Sequence, residues 1–491
     1  MKNILIAIRS IFKKGRHNVM KIVSLGIGLA VGLVLIAKVY FEQSYDDFYP
    51  DRDRVYQVWA KYQQNGGELK DYPQTSGGIA PTMQQQIPEI ETVTRYTSFG
   101  DWTFTMTDTK MKYSGRCIIA DSCFFDILPR PMLIGNAKEV LSTPMYVLVS
   151  SRIAKNIGGD VIGKNFTVDS SPGRTMTIGG VFEEVPENSH SRYDVIVSMA
   201  SAGRFMWEGS PTNMLGNDRY ISYVKLHKGV NPLALEEQVH TFVNSYFPPE
   251  EQQKTGFNIG FSFHELDGLH KELPQVKRMT WILSLLAFAL IFTAVMNYIL
   301  IVISSIVNRS KEVAVHKCYG ASENNIHGMM FGEALVHIVL SLILALLLIL
   351  AFRGTVEELL ATSLDSLLLS NGSLVLLGIC ILVFFVSGFM PGSLYARIPV
   401  ASAFRNYREN KRIWKKALLL VQFVATGFLV TMLVFVARQY TFMVNDRPGY
   451  AYENLAYCGL AGVDSTSRAK ILDEVMRLPG VVAATTVYQL P

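Results

Sequence analysis

The residues best equipped for chemistry gather at His264-Glu265-Leu266-Asp267-Gly268-Leu269-His270, where two imidazoles share a short stretch with two carboxylates. Such a group is raw material for a metal site, but a zinc-binding helix sets its histidines at i and i+4 so that both face one ion. The spacing here differs and the segment is polar chain just ahead of an apolar stretch, so no metal is expected. No G-x-S-x-G, no Cys-x-x-Cys and no other catalytic cluster appears. There is also no G-x-x-x-x-G-K-[ST], so the chain lacks the loop that cradles ATP phosphates in the Walker manner, and any ATP-driven work falls to a partner. Gly179-Gly180 lies within a strand pattern, where it marks a bulge or a close backbone approach rather than a phosphate loop. Glu333 and His337 stand at i, i+4 inside an apolar stretch. Ionisable groups in such places face protein, and the pair reads as a contact between helices rather than a proton relay.

The elements that carry these residues belong to a membrane protein. Of 491 residues, 49% are hydrophobic and only 18% charged, with a mean hydropathy of +0.23. Five stretches are apolar over about 20 residues, the length needed to cross a hydrocarbon core: Ile22–Tyr40, Trp281–Ile303, Met329–Phe352, Leu374–Phe389 and Ala417–Ala437. Lys2, Arg9, Lys13, Lys14, Arg16 and Lys21 precede the first, Arg309, Lys311 and Lys317 follow the second, and Arg397, Arg405, Arg408, Lys411, Arg412, Lys415 and Lys416 precede the fifth. The excess of positive charge places these flanks, and the N-terminus, in the cytoplasm and the long segment from Phe41 to Lys277 outside. The net charge of +5 reflects this layout and needs no nucleic acid. Ile4, Leu5, Ile8, Ile11 and Phe12 share one face of a helix with Arg9, Lys13 and Arg16 on the other, as suits a helix lying in the cytoplasmic interface of the bilayer. The first apolar stretch is too long for a signal peptide and lacks a clean cleavage site, which makes it an anchor. On it, Ser24, Gly28 and Gly32 recur at the spacing that lets helix backbones approach closely. The five cysteines form no framework: Cys117 and Cys123 are a weak candidate pair, while Cys318 and Cys380 belong to cytoplasm and membrane.

The external segment reads as mixed α and β, large enough to bury its own core. Strands are expected at Arg54–Ala60, Met145–Ser150, Thr175–Phe182, Tyr193–Met199 and Tyr220–Leu226, and helices at Ile79–Ile87, Ser151–Ile157 and Leu233–Tyr246. The chain also repeats itself at an offset of about 395 residues, pairing Lys21 with Lys416, Tyr45 with Tyr440, Asp51 with Asp446 and Arg52 with Arg447. Ile87-Pro88-Glu89-Ile90 is echoed by Leu478-Pro479-Gly480-Val481.

One cytoplasmic loop carries a fuller signal. From Asn308 to Ser322 charge alternates with small apolar residues, and Gly320-Ala321-Ser322 reads as a helix stop followed by a new N-cap. A short helix with one apolar and one charged face is a docking surface for a soluble partner, although an ordinary basic loop would also look charged.

Arg309-Ser310-Lys311-Glu312-Val313-Ala314-Val315-His316-Lys317-Cys318-Tyr319-Gly320-Ala321-Ser322 resembles the arginine-x-lysine-glutamate-isoleucine-glycine-x-arginine-lysine-x-x-glycine-alanine-serine signature of FtsX/MacB-type ABC transporter permeases, with Ala314 at the usual glycine and His316 at the usual arginine. Ala120-Asp121-Ser122-Cys123-Phe124-Phe125-Asp126, Gly163-Lys164, Ile178-Gly179-Gly180-Val181-Phe182-Glu183-Glu184-Val185-Pro186 and Asn188-Ser189-His190 are similar to the MacB-like periplasmic core domain. The resemblance implies an inner-membrane, multi-pass permease subunit with an α+β external domain on an α-helical transmembrane bundle of five helices. It divides the chain into an amphipathic N-terminus (1–21), a first span (22–40), a periplasmic core domain (41–277), a second span (278–305), a coupling loop (306–328), a third span (329–352), a short external loop (353–373), a fourth span (374–394), a basic linker (395–416), a fifth span (417–438) and the start of a second periplasmic domain (439–491).

The coupling loop, with Arg309, Lys311, Glu312, Val315, Lys317, Gly320, Ala321 and Ser322, would contact a dimeric cytoplasmic ATPase that binds ATP and Mg, the chain itself holding no cofactor. The work would be done on a periplasmic or envelope substrate by mechanotransmission, with a periplasmic or outer-membrane protein as a further partner. A receptor that signals inward without transport, and an envelope enzyme, are the other readings. The repeat then reads as the opening of a second permease half, so that more protein is expected beyond Pro491.

Overall fold

The computed structural model describes residues 17–169, 171–369, 372–396, 399–400, 413–445, 454–460 and 465–487. The amphipathic N-terminal segment with Ile4 to Arg16, most of the basic linker from Arg397 to Arg412, and Asp446 and Arg447 of the repeat lie outside the described residues. The chain forms two compact units, one of Met1–Ser44 with Lys271–Ala451 and one of Tyr45–His270 with Tyr452–Pro491.

The first apolar stretch is helix α1 (Asn18–Gln43), after which the chain enters the mixed domain. Its strands are β1 (Val55–Gln64), β2 (Lys70–Tyr72), β3 (Ile90–Met106), β4 (Lys112–Ala120), β5 (Met132–Ile134), β6 (Tyr146–Ser150), β7 (Asn165–Val168), β8 (Ser171–Phe182), β9 (Val195–Ser198), β10 (Ile221–Leu226) and β11 (Phe257–Glu265). Among them run helices α2 (Ile79–Gln86), α3 (Ser151–Ile157) and α4 (Glu236–Tyr246), with a further short helix at Pro249–Thr255 and shorter turns elsewhere. The expected helix at Leu233–Tyr246 opens as a 3-10 turn at Pro232–Leu235, and the expected strand at Thr175 begins earlier, at Ser171.

The eleven strands follow the order β11-β1-β10-β3-β4-β9-β6-β8-β5, with β2 on β1 and β7 bridging β3 and β8. The pairings β3–β4, β4–β9, β9–β6, β6–β8, β8–β7 and β7–β3 therefore close on themselves into a ring. Side chains alternate between faces of a strand, and here the alternation sorts two cores. Cys117 and Ile119 of β4, Val147 and Val149 of β6, and Val195 and Val197 of β9 join Phe104, Phe166, Met176 and Ile178 in the ring's core. Their neighbours Ile118, Leu148 and Ile196 face the other way, onto Tyr96, Phe124, Phe182 and Tyr223. Gly179 is the extra residue of a bulge, since Val147 pairs with Ile178 and Leu148 with Gly180. A Cβ on Gly180 would lie 2.8 Å from Leu148 Cδ2 and 2.9 Å from Ile134 O, so the position needs glycine for closeness as well.

The second lobe packs α2 and α4 onto β1, β10 and β11. Val239, Phe242 and Val243 recur at i, i+3, i+4, and Phe242 meets Phe261 edge-on at 6.0 Å. Strand β3 serves both lobes, pairing with β10 over Ile90–Tyr96 and with β4 and β7 over Tyr96–Met106. Cys117 and Cys123 are free thiols, Cys117 buried in the ring and Cys123 donating to Val93 O at 3.1 Å.

Beyond the domain come α5 (Pro274–Ser304), α6 (Ile306–Cys318), α7 (Glu323–Ala351), α8 (Ser373–Ala396), α9 (Ile413–Asn445) and α10 (Ser465–Met476). Helices α1, α5, α7, α8 and α9 are long and apolar enough to cross a membrane. Each begins ahead of its apolar stretch, and all but α7, which ends at Ala351, also run past its end. The segment 353–373 holds two short helices, Arg353–Leu360 and Leu364–Leu368.

On α1, Gly28 faces Ala294 of α5, Gly32 faces Ile291, and Gly26 faces Leu344 of α7, so a side chain at any of them would collide. Ser24 instead bonds back to Lys21 O at 3.4 Å. Two lysines mark the ends of α1: Lys21 pairs with Glu333 at 3.5 Å, and Lys38 with Glu42 at 2.7 Å and Thr362 Oγ1 at 2.8 Å. They stand about 25 Å apart at 1.5 Å per residue, a little less than a hydrocarbon core. His337 meets Tyr298 of α5 at 3.1 Å, so Glu333 and His337 each join α7 to a different helix.

Candidate functional site

The segment from Arg309 to Ser322 forms α6 and the link to α7. Ser310, Val313 and Ala314 lie at i, i+3, i+4 and are buried, Val313 and Ala314 as part of the helix-bundle core. The opposite stripe, Lys311, Val315 and Tyr319 at i, i+4, i+8, is exposed, with Val315 at 44% and Tyr319 at 89%. This is the pattern of a helix with one face sealed against its own bundle and the other left for solvent or a partner. Glu312 is half-buried, His316 exposed, and the side chain of Arg309 lies outside the described residues.

Both ends are fixed by local chemistry. At the start, Tyr395 of α8, fully buried, donates to Val302 O at 3.0 Å and lies 3.1 Å from Ser305 Oγ, which pins the break between α5 and α6. At the end, Gly320 adopts φ +88, a left-handed conformation that costs glycine nothing. Its N–H bonds to Lys317 O at 3.0 Å, and the Ala321 N–H to His316 O at 3.0 Å, the paired bonds of a Schellman stop. Ser322 then accepts from the Asn325 N–H at 3.4 Å as N-cap of α7. Gly-Ala-Ser is thus a helix stop, a single linker and a helix start.

Lys317, expected among the docking residues, donates to Ala396 O at 2.7 Å and so ties α6 to the end of α8. The side chain is half-buried, so it serves as a tie within the bundle as well as part of the loop's surface. Tyr319 was not singled out by the sequence, although a tyrosine just ahead of a helix-stopping glycine in a charged segment is a usable signal.

The polar cluster at His264 to His270 does not converge. His264 stacks on Trp59 with ring centroids 4.1 Å apart, and burial pushes its imidazole below the ordinary value. His270 stacks on Tyr45 at 3.5 Å, and Asp267 pairs with Arg52 at 3.3 Å. Among the described residues no group of three His, Cys, Asp or Glu side chains is placed to hold a metal ion.

Two family models match the chain: the MacB-like periplasmic core domain over residues 20–242 and the FtsX-like permease C-terminal domain over residues 284–400. No curated protein matches it. Solved structures similar to it include a domain of a permease protein from Porphyromonas gingivalis, at 32% identity over 44% of this chain and 91% of that one, with a TM-score of 0.41. The periplasmic region of MacB from Actinobacillus actinomycetemcomitans is 15% identical over 45% of this chain and 92% of its own, with a TM-score of 0.31. The extracellular domain of the noncanonic ABC-type transporter YknZ from Gram-positive bacteria is 10% identical over 42% and 98%, with a TM-score of 0.30. The first model takes in α1 and most of the mixed domain, and the second most of α5 and all of α6 to α8, the helix that presents Lys311, Val315 and Tyr319 included. The chain belongs to the FtsX/MacB-type permeases of ABC transporters.

Proposed function

We propose that the chain couples ATP hydrolysis by a separate cytoplasmic ATPase to work on an envelope substrate, a peptide, drug or lipoprotein, by mechanotransmission. In this reading the N-terminus and α6 lie in the cytoplasm and the domain Tyr45–His270 in the periplasm, as the basic flanks of the spans favour. ATP and Mg bind the partner, and α6 delivers its motion to the spans. The observation that carries the reading is the exposed stripe Lys311, Val315, Tyr319 on a helix whose other face is built into the bundle core. Tyrosine is among the residue types enriched in binding hot spots, and Tyr319 of this stripe is 89% exposed.

Affinity purification from native membranes tests it. The wild-type chain is expected to bring down a Walker-motif ATPase, and Lys311→Ala with Tyr319→Ala to lose it about tenfold or more, since hot-spot truncations cost at least about 2 kcal/mol. Undiminished recovery of the ATPase with the double variant would sink the assignment of that surface.

A further inference from the structure

Asp46 stands three residues past the end of α1 and is completely buried, with φ +60. Aspartate is among the few residues that tolerate this left-handed conformation, and here the bend aims its carboxylate into the domain. Ser189 Oγ donates to Oδ1 at 3.0 Å and the His190 N–H to the same oxygen at 3.3 Å. His190 Nδ1 lies 2.8 Å from Oδ2, and the Asp46 N–H donates to Asn188 O at 2.9 Å. The Asn-Ser-His triplet thus closes around a single residue of the chain that leaves α1.

The network continues inward. His190 Nε2 is 2.5 Å from the Tyr223 hydroxyl on β10, and Ser191 donates to the Tyr96 hydroxyl on β3 at 2.7 Å. The Asp46 carboxylate can only accept, so Nδ1 carries a proton, and in the neutral imidazole Nε2 is then the acceptor for the Tyr223 hydroxyl, which burial keeps protonated. Tyr96 is the residue at which β3 passes from β10 to β4, the seam of the two lobes, and its ring stacks on Tyr223 at 6.3 Å.

We infer that Asp46 is a positioning residue for transmission: it hands a displacement of the end of α1, through Ser189 and His190, to Tyr223 and Tyr96 at the seam between the lobes. The inference rests on the permease reading, because it needs a motion that arrives along α1. A carboxylate with several converging donors is a stiff connection. Each bond must stretch at once for it to slip, whereas the flanking pair Arg52–Asp47 is surface-exposed and yields readily.

The test is hydrogen exchange on the full chain, purified with the ATPase that accompanies it, reconstituted in nanodiscs and compared with and without a non-hydrolysable ATP analogue. In the wild type the nucleotide is expected to change exchange both at residues 44–49 and at Tyr96–Ser98. In Asp46→Asn the amide oxygen stays where Ser189 Oγ and the His190 N–H donate to it, which sets the NH2 group against Nδ1–H, so His190 must switch tautomer and the Tyr223 hydroxyl loses its acceptor. This variant is expected to keep the first change and to lose about tenfold of the second, as befits one hydrogen bond to a charged group. Tyr223→Phe removes a single hydroxyl from a packed ring, is expected to behave the same way, and decides the matter alone if Asp46→Asn fails to fold. The double variant should do no more than either single one. An equal nucleotide response at Tyr96–Ser98 in the wild type and the variants overturns the inference. No nucleotide response anywhere in the wild type overturns the permease reading instead, and the inference with it.

Discussion

Adding one methyl group at Gly28 should drive α1 and α5 apart. A Cβ built there overlaps the Ala294 Cβ, with backbone of α5 at 3.6 Å directly behind it, so neither a rotamer change nor a flexible tip can make room. Overpacking of this kind costs about 1 to 3 kcal/mol, while glycine to alanine in a helix returns about 0.8 to 1.0 kcal/mol of propensity. The two effects must be separated. Gly378 on α8 supplies the control, because a Cβ there has nothing within 4 Å and Gly378→Ala should show the propensity gain alone. Unfolding of the full chain in mixed micelles with rising SDS would then rank Gly378→Ala above wild type and Gly28→Ala below Gly378→Ala by about 1 to 3 kcal/mol. Ala294→Gly removes the opposing methyl at a cost of about 0.8 to 1.0 kcal/mol in propensity, so it should destabilise the wild type by that amount but the Gly28→Ala background by less, a coupling that independent sites would not show. If Gly28→Ala is as stable as Gly378→Ala, the close approach of α1 and α5 is wrong.

Other outcomes follow from the same structure. Phe166→Ala, at a fully buried position in the ring, should cost about 3 to 5 kcal/mol in the same unfolding assay, and a loss below about 1 kcal/mol would mean the ring is not a packed core. Maleimide should label Cys318 and Cys458 first and Cys117 last, because burial pushes the Cys117 thiol well above its ordinary value, and raising the pH to 9.0 should leave Cys117 slow. Mass spectrometry of labelled peptides would refute this by finding Cys117 as fast as Cys318. The Lys225 hydrogen bond, with Arg54 beside it, holds the Asp51 carboxyl below its usual 3.8, so the folded value lies under the unfolded one. That pairing stabilises the fold above the ordinary carboxylate value and is lost as pH falls through the folded one. Asp51→Asn should therefore flatten the acid limb of a melting-temperature profile, and an unchanged limb would remove Asp51 from it.

What the sequence made legible was what local chemistry decides. Gly320 and Ser322 announce a stop and a start because caps are built from a residue and its near neighbours. Gly28 and Gly32 announce close approach because small size is all that is required of them. Ser24 shares their spacing, yet it bonds to its own helix. The long strand β3 is hard to read because Gly100-Asp101 looks like a turn, whereas Gly100 sits at a bulge with φ +73. Strand β11 is hidden by its polar end, since His264 and Glu265 suggest loop until Trp59 is seen stacked on the imidazole. Contacts between distant positions leave no local trace at all. Nothing near Asp46 names His190, nothing near Arg95 names its pair Asp121 at 3.2 Å, and nothing near Lys317 names the carbonyl of Ala396.

The strand shared by both lobes has a mechanical meaning. Its ladder with β10 ends at Tyr96, where its ladder with β4 begins, so the two lobes are joined there by continuous backbone and a single doubly paired residue. Because β3 belongs at once to the open sheet and to the closed ring, a load applied to either half is carried by the backbone of the other. Tyr96 is thus the point through which any strain passing along the sheet from one lobe to the other must run.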